Sequence, residues 1–115
     1  MRLTTDFWVS ALIRTVFGQG GFAAIVSRGS AEAGAVFITV RNRLGQTTLY
    51  GPAPQASYDS AKPEERLFSL LIQDDEGDAV EQRLTRERRF DTDIWVVELE
   101  PGERAVAELI PIVSS

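Results

Sequence analysis

The 115-residue sequence contains no cysteine and no histidine. Without cysteine, the chain cannot form a disulfide, a thiolate metal cage or a cysteine nucleophile. Without histidine, it has neither an imidazole base that works near neutral pH nor an imidazole metal ligand. Ser-His-Asp hydrolases, cysteine proteases and zinc-dependent deaminases are therefore excluded. An enzyme built from this chain would have to use carboxylates, arginine, tyrosine, serine or the single lysine, Lys62.

The sequence also lacks an apolar run long enough to cross a membrane. Its longest candidate, Phe7 to Phe17, follows Asp6, is interrupted by Arg14, and falls well short of the roughly 20 residues that a span requires. No small-residue cleavage site follows it, as a secretory signal would need. We therefore expect a cytoplasmic protein without membrane association, folded as one globular domain over residues 1–115.

Positive charge is scarce overall, since the chain carries a formal net charge of −5. Such a charge disfavours broad binding to DNA phosphates, and we expect no nucleic-acid partner. The basic cluster Arg83, Arg86, Arg88 and Arg89 alternates with acidic residues, and the Arg83–Glu87 spacing suits a salt bridge one helical turn apart. This cluster is therefore interpreted as a solvated helix face.

Hydrophobic periodicity predicts the element order α-β-β-β-β-α-β. Three short strands follow the first helix with short connections, which predicts an antiparallel meander. The expected fold is an α+β domain in which the N-terminal helix packs on a mostly antiparallel five-stranded sheet. The helices are predicted at residues 3–18 and 78–89, and the strands at residues 22–28, 35–43, 47–50, 67–73 and 94–99.

The remaining segments are interpreted as connections. Residues 55–64 are polar and turn-rich, which predicts a mobile loop. Residues 101–115 are expected to form a loosely docked tail whose apolar end, Leu109 to Val113, either packs on the sheet or meets a partner. The glycine-rich segment 18–21 follows a helix and precedes a strand, the reverse of a dinucleotide-binding loop, so it is interpreted as a helix stop.

The acidic run Asp74-Asp75-Glu76-Gly77-Asp78 does not fit a calcium loop, because its glycine falls at position 4 and position 12 is Thr85. A turn that leads into a helix accounts for the same residues, with Asp78 and Glu81 as a capping box. A serine nucleophile with Lys62 as its base has no motif to fix its geometry. No metal, cofactor or catalytic residue is predicted.

One set of polar residues on the predicted strands has the chemistry of a ligand site. Guanidinium groups beside tyrosine and tryptophan can hold a phosphate, a carboxylate or a peptide. The alternative is that Trp8 and Trp95 fill the core while the arginines pair with the acidic second half of the chain. The candidate ligand-binding residues are Arg28, Arg41, Arg43, Tyr50 and Glu98.

Three stretches carry a resemblance to a known family: 7–14, 34–37 with 48–52, and 86–98, of which the last is the most specific. The sequence resembles a family of small, single-domain alphaproteobacterial proteins of unknown function. The resemblance extends from Leu3 to about Glu100 and is weakest after Pro101. It implies a bacterial cytoplasmic protein that exists as this domain alone, and it brings no assigned activity, cofactor or site residue.

Two functional hypotheses follow. The first is a non-enzymatic binding or protein-interaction module that self-associates through an edge strand or the apolar tail, or that binds another protein. The second is a domain that binds a small anion, such as a phosphate or carboxylate, through the strand arginines. The two differ in geometry, because the second requires guanidinium groups to converge on one cavity.

Overall fold

A computed structural model describes residues 3–54 and 66–113 of the chain. The loop predicted at 55–64, with Lys62, lies outside these described residues. All seven predicted elements are present, and a short third helix follows them. They are α1 (Thr5–Gly18), β1 (Phe22–Ser27), β2 (Val36–Arg41), β3 (Thr47–Pro52), β4 (Phe68–Asp75), α2 (Ala79–Phe90), β5 (Trp95–Glu100) and α3 (Val106–Leu109).

The five strands form one sheet in the order β1-β5-β2-β3-β4. The α+β class is confirmed, but the sheet is mixed rather than mostly antiparallel, because β5 runs parallel to β2 and antiparallel to β1. The predicted meander is therefore wrong at its first step. It holds only for β2, β3 and β4, which pair antiparallel in sequence order.

The burial of β5 explains why it separates β1 from β2. Trp95, Val96, Val97 and Leu99 are all at most 1% exposed, so both faces of this strand are covered. A strand that is apolar on both faces is stable only in the interior of a sheet, with other elements packed above and below it. The continuous run Trp95-Val96-Val97 thus lies on an interior strand, the second of five, and β1 becomes an edge strand.

The two faces of the sheet carry separate cores. On one face, Val9, Leu12 and Val16 of α1 pack against residues that include Ile38 and Val97. On the other face, Val80 and Leu84 of α2 pack with residues that include Phe37, Leu49 and Val96. The predicted packing of the N-terminal helix on the sheet is confirmed, and α2 buries only a narrow stripe, as its sequence predicts.

The start of α2 corrects one detail of the prediction. Asp78 is the N-cap residue, but its side chain makes no capping hydrogen bond, so the predicted capping box with Glu81 is wrong. Instead, the carboxylate of Asp75, at the end of β4, accepts hydrogen bonds from the backbone N–H groups of Gly77 and Val80, both at 3.1 Å. A carboxylate from the preceding strand thus satisfies the N–H of Val80 in the first turn of α2 and also binds the turn that leads into the helix.

The described part of the tail contacts the sheet. The side chain of Ile110 is 1% exposed and belongs to the core beneath α1. The backbone N–H of Phe68 donates to the carbonyl of Pro111 at 2.9 Å, and that of Val113 donates to the carbonyl of Phe68 at 2.8 Å. Residues 110–113 therefore extend along the start of β4.

Within residues 3–54 and 66–113, every helix is too short or too polar to traverse a bilayer.

Candidate functional site

The parallel neighbours β2 and β5 end at the same edge of the sheet. Beyond Arg41 the chain turns back through residues 42–46 into β3, whereas beyond Glu100 it continues into residues 101–106 towards α3. Because the two connections leave in different directions, they open a crevice between the carboxyl ends of the strands. Crevices of this kind are where open sheets with parallel strands bind their ligands.

An open cavity of about 570 Å³ occupies this crevice. Its volume lies within the range of small-molecule sites. Three arginines line it: Arg41 at the end of β2, Arg43 in the turn that follows, and Arg104 before α3. Phe22 and Glu100 also line it. The remaining lining residues are Gly20, Gly21, Val40, Asn42, Pro101, Ala105 and Val106.

The glycines beside the cavity allow two backbone segments to cross closely. A Cβ atom on Gly21 would lie 2.6 Å from the carbonyl oxygen of Glu100 and 2.7 Å from the backbone nitrogen of Gly102. The amide of Gly21 already donates to the carbonyl of Val16 at 3.0 Å, and that of Gly20 donates to the carbonyl of Phe17 at 3.2 Å. Segment 18–21 is therefore the predicted helix stop, and its amides are committed to α1.

Strand register places three of the lining side chains in one row. Phe22 on β1 is paired with Glu100 on β5, so both fall on the same face of the sheet. Val40 is the last residue of β2 paired with β5, opposite Leu99, which brings the next residue, Arg41, beside Glu100. An aromatic ring, a carboxylate and a guanidinium therefore lie side by side across β1, β5 and β2.

The turn after β2 positions Arg43. The side-chain oxygen of Asn42 accepts hydrogen bonds from the backbone N–H groups of Leu44 at 2.9 Å and Gln46 at 3.0 Å. Gly45 adopts a φ of 80°, which residues with a side chain rarely tolerate. The tight turn predicted at residues 43–46 is confirmed. It also ends β2 at Arg41, two residues earlier than predicted, so Arg43 belongs to the turn rather than to the strand.

The guanidinium groups at the cavity have no acidic partner among the described residues. Within residues 3–54 and 66–113, none of Arg41, Arg43 and Arg104 forms an ion pair or a side-chain hydrogen bond, whereas Arg83 pairs with Glu87 at 2.8 Å, as predicted. The cavity contains the charges of three arginines and one glutamate, so 3 − 1 gives +2. This local positive charge stands against a net charge of −5 for the whole chain.

The other three predicted site residues lie elsewhere. Arg28 follows β1 at the opposite end of the sheet, where its guanidinium stacks over the Trp95 ring with 5.0 Å to the centroid. Tyr50 packs against the core beneath α1. Glu98 is half-buried on β5, two residues before Glu100. Its neighbours on the adjacent strands are Ala24 on β1 and Thr39 on β2. The structure thus brings Arg41 and Arg43 together and separates them from these three.

Burial raises the pKa of Tyr50, and the nearby carboxylate of Asp74 raises it further. A phenol in this environment holds its proton, and its position under α1 makes it part of the packing. Within the described residues, no three acidic, histidine or cysteine side chains are close enough together to hold a metal ion. Of the five predicted site residues, Arg41 and Arg43 are therefore the two that the structure places at the cavity.

Sequence reasoning misses Arg104, Phe22 and Glu100 as lining residues. Arg104 lies in a segment whose pattern predicts only a tail, and Phe22 and Glu100 come together with Arg41 only because β5 lies between β1 and β2. Predicting that β2 and β5 run parallel would have shown that their carboxyl ends meet at one edge of the sheet. The one signal in the sequence for this pairing is the apolar character of β5 on both of its faces.

Comparison with known proteins identifies the family. The family model described as "Protein of unknown function (DUF1491)" matches residues 3–108. The chain belongs to this family. The DUF1491 assignment confirms the resemblance carried by stretches 7–14, 34–37 with 48–52, and 86–98. Since the description assigns no function, it transfers no residue role.

Solved structures agree with the DUF1491 assignment. The solution structure of protein Atu0922 from A. tumefaciens is 45% identical, with a TM-score of 0.82, and the match covers 100% of this chain and 98% of that one. A crystal structure of a DUF1491 family protein from Caulobacter crescentus CB15 is 33% identical, with a TM-score of 0.75, over 99% of this chain and 100% of that one. Among curated proteins, no match to the chain is found.

Proposed function

We propose that this protein is a non-enzymatic binding module that holds a small anion in the cavity at the carboxyl ends of β2 and β5. Arg41, Arg43 and Arg104 supply the charged contacts. The observation that carries the proposal is the presence of these three arginines in the lining of one cavity, with no carboxylate paired to them in the described part of the chain.

Charge distribution supports the proposal. The chain has more acidic than basic residues, yet these three arginines form no ion pair within the described residues, so surface salt bridges there do not account for their position. Guanidinium groups present several N–H donors in a plane and match carboxylate and phosphate oxygens in pairs. Three of them beside a single carboxylate leave an excess positive charge, whose mutual repulsion costs electrostatic free energy that a bound anion would relieve.

The alternative in which the strand arginines pair with the acidic second half of the chain is not supported. Arg28 stacks on Trp95, and neither it nor Arg41 or Arg43 forms an ion pair within the described residues. Trp95 does fill the core, with its indole N–H donating to the carbonyl of Ser30 at 2.7 Å. The tryptophan therefore belongs to the core, and the arginines at the cavity are left for a ligand.

Isothermal titration with inorganic phosphate, pyrophosphate and citrate tests the proposal. We expect at least one of these anions to bind the unmodified protein, and we expect Arg41→Ala and Arg104→Ala each to weaken binding about tenfold or more, because charge-assisted hydrogen bonds are lost. Arg28→Ala is the matched control, since it removes one arginine at the other end of the sheet and should leave affinity unchanged.

Absence of binding by all three anions would contradict the proposal. An equal loss of affinity in Arg28→Ala and Arg41→Ala would also contradict it, because a general charge effect rather than the cavity would then explain the binding.

The predicted cytoplasmic location is part of the same proposal. Fractionation of cells that express the chain would test it.

Self-association is a second candidate, favoured by the outer edge of β1. Among the described strands β1 pairs only with β5, and residues 22–27 contain neither a charge nor a proline. Val26 has no partner on β5 and is 56% exposed. Uncharged strand edges of this kind pair readily with strands of other chains, so a second copy could add antiparallel to β1.

Light scattering coupled to size-exclusion chromatography tests this candidate. We expect a dimer that Val26→Lys converts to a monomer, since a charge on the edge opposes pairing. Leu44→Lys places the same charge at a position that is 81% exposed, away from β1, and should leave the dimer intact. A monomer at all concentrations would remove the candidate.

A further inference from the structure

Resting on the proposed anion site, we propose that its ligand is a phosphate monoester that also carries hydroxyl groups. Three features of the cavity specify this class together: the excess of guanidinium groups, the carboxylate of Glu100 among them, and the aromatic ring of Phe22 beside both. Each feature corresponds to one part of such a molecule.

The charge of the cavity matches a phosphate monoester. Arg41, Arg43 and Arg104 with Glu100 leave a charge of 3 − 1 = +2. A phosphate monoester carries about −1.5 to −2 at pH 7 because its second pKa is near 6. An amino-acid zwitterion, whose charges cancel, would leave most of the positive charge of the cavity uncompensated.

Glu100 specifies the hydroxyl groups. Its carboxylate is exposed, lies next to Arg41 in the row across β5 and β2, and forms no ion pair within the described residues. An ionised carboxylate only accepts hydrogen bonds. A ligand with nothing but acceptor oxygens would therefore be repelled at this position, whereas a hydroxyl group next to the phosphate would donate to it.

Phe22 provides a surface for the carbon skeleton. Its side chain is 45% exposed and shares a sheet face with its partner Glu100. The apolar residues Val40, Pro101 and Val106 also line the cavity. At about 570 Å³, the space exceeds what an isolated phosphate fills, which leaves room for a carbon chain between the arginines and Glu100.

Two probes of equal length separate this inference from the anion site itself. Glycerol 3-phosphate and propyl phosphate have the same three-carbon chain and the same phosphate, but only the first carries hydroxyl groups. We expect glycerol 3-phosphate to bind the unmodified protein about tenfold more tightly in isothermal titration, the typical effect of a hydrogen bond to a charged group.

Glu100→Gln should reduce this preference to about twofold or less. It should also strengthen the binding of propyl phosphate, since the repulsion between carboxylate and phosphate is removed. Glu98→Gln is the matched control. Glu98 lies two residues earlier on the same strand and face but does not line the cavity, so this variant should keep the full preference.

The outcomes distinguish the two proposals. Equal affinity of the two probes for the unmodified protein would overturn the hydroxyl inference and leave the anion site standing. Retention of the preference in Glu100→Gln would have the same consequence. If neither probe nor inorganic phosphate binds, the anion site fails, and the inference fails with it.

Discussion

At the scale of single residues, two glycines decide whether the cavity exists. Gly21 and Gly102 lie where the segment after α1 crosses the segment after β5, and a Cβ on either would collide with backbone atoms of the other segment. Backbone atoms cannot move aside as a flexible side chain can. The small size of these residues, more than their conformational freedom, therefore brings the two walls of the cavity together.

The first prediction concerns Gly102→Ala. We expect it to destabilise the fold by roughly 1–3 kcal/mol, the typical cost of forcing an extra carbon into a packed site. Gly18→Ala is the control, because a Cβ at Gly18 meets no atom within 4 Å and alanine favours the helix, by up to about 1 kcal/mol. Urea denaturation of both variants measures the two effects, and equal stability would contradict this explanation of the crossing.

A second prediction at this scale concerns pH. Because burial, and then Asp74, raise the pKa of Tyr50 above 10.0, the folded state binds the phenol proton more tightly than the unfolded state. This contribution to stability is fully present below pH 10 and is lost as the pH rises through the raised pKa. Urea denaturation at increasing alkaline pH should show the loss.

Tyr50→Phe should remove this alkaline component, because phenylalanine has no proton to lose. Tyr58→Phe, which changes the other tyrosine of the chain, is the control and should retain it. If Tyr58→Phe alone abolished the alkaline loss, the assignment to Tyr50 would be incorrect.

Residue chemistry is partly predictable from the sequence. Arg41 and Arg43 are candidates because arginines near strand ends suit anions, and they do line one cavity. Arg28 is a candidate on the same grounds but lies at the far end of the sheet, since β1 runs antiparallel to β5. Residue type alone does not say which end of a strand faces which neighbour, so sequence cannot separate Arg28 from the other two.

At the scale of elements, α2 buries little apolar surface against the sheet. Val80 and Leu84 are its only buried residues, and Leu84 is 1% exposed in the core on that face. We predict that Leu84→Ala costs about 2–5 kcal/mol, because the lost apolar contacts leave a cavity. Leu44→Ala, at a position that is 81% exposed, should change stability by less than about 0.5 kcal/mol.

Thermal or urea denaturation compares the two leucine variants. A small effect of Leu84→Ala would show that α2 is not held by this stripe. Retention of anion binding in the folded Leu84→Ala protein is also expected, because α2 contributes no residue to the cavity.

The elements are well predicted from the sequence, and their arrangement is not. Every predicted helix and strand is present because periodicity and turn residues are local properties of the sequence. The position of β5 depends on which strands bury both faces, a property of the whole sheet. The N-terminus of α2 is also set by a contact between two elements, which local sequence does not predict. Its N–H group is capped by Asp75 on the preceding strand rather than by Asp78.

At the scale of the whole molecule, an acidic protein places three arginines around one cavity at one end of its sheet. The mixed order of strands makes this possible, since parallel β2 and β5 bring Arg41, Arg43 and Arg104 to one crevice. A phosphate would meet a local excess of positive charge at the cavity of a protein whose net charge is −5. The cavity would therefore favour small anions over extended polyanions such as nucleic acids.

This distribution predicts a salt dependence. Arg41, Arg43 and Arg104 are exposed, so their attraction to a phosphate is screened by solvent ions, whose Debye length shortens from about 30 Å at 0.01 M to about 8 Å at 0.15 M. Phosphate affinity should fall steadily across this range of sodium chloride in isothermal titration. Affinity that does not change with salt would indicate contacts other than these guanidinium groups.

Backbone NMR of the labelled protein during titration with inorganic phosphate would locate the anion site residue by residue. We predict that the amide resonances that shift belong to residues 20–22, 41–43, 100 and 102–106, and that Arg28 and the arginines of α2 stay unchanged. Shifts confined to residues 83–89, or no shifts at all, would contradict the assignment of the anion site to this cavity.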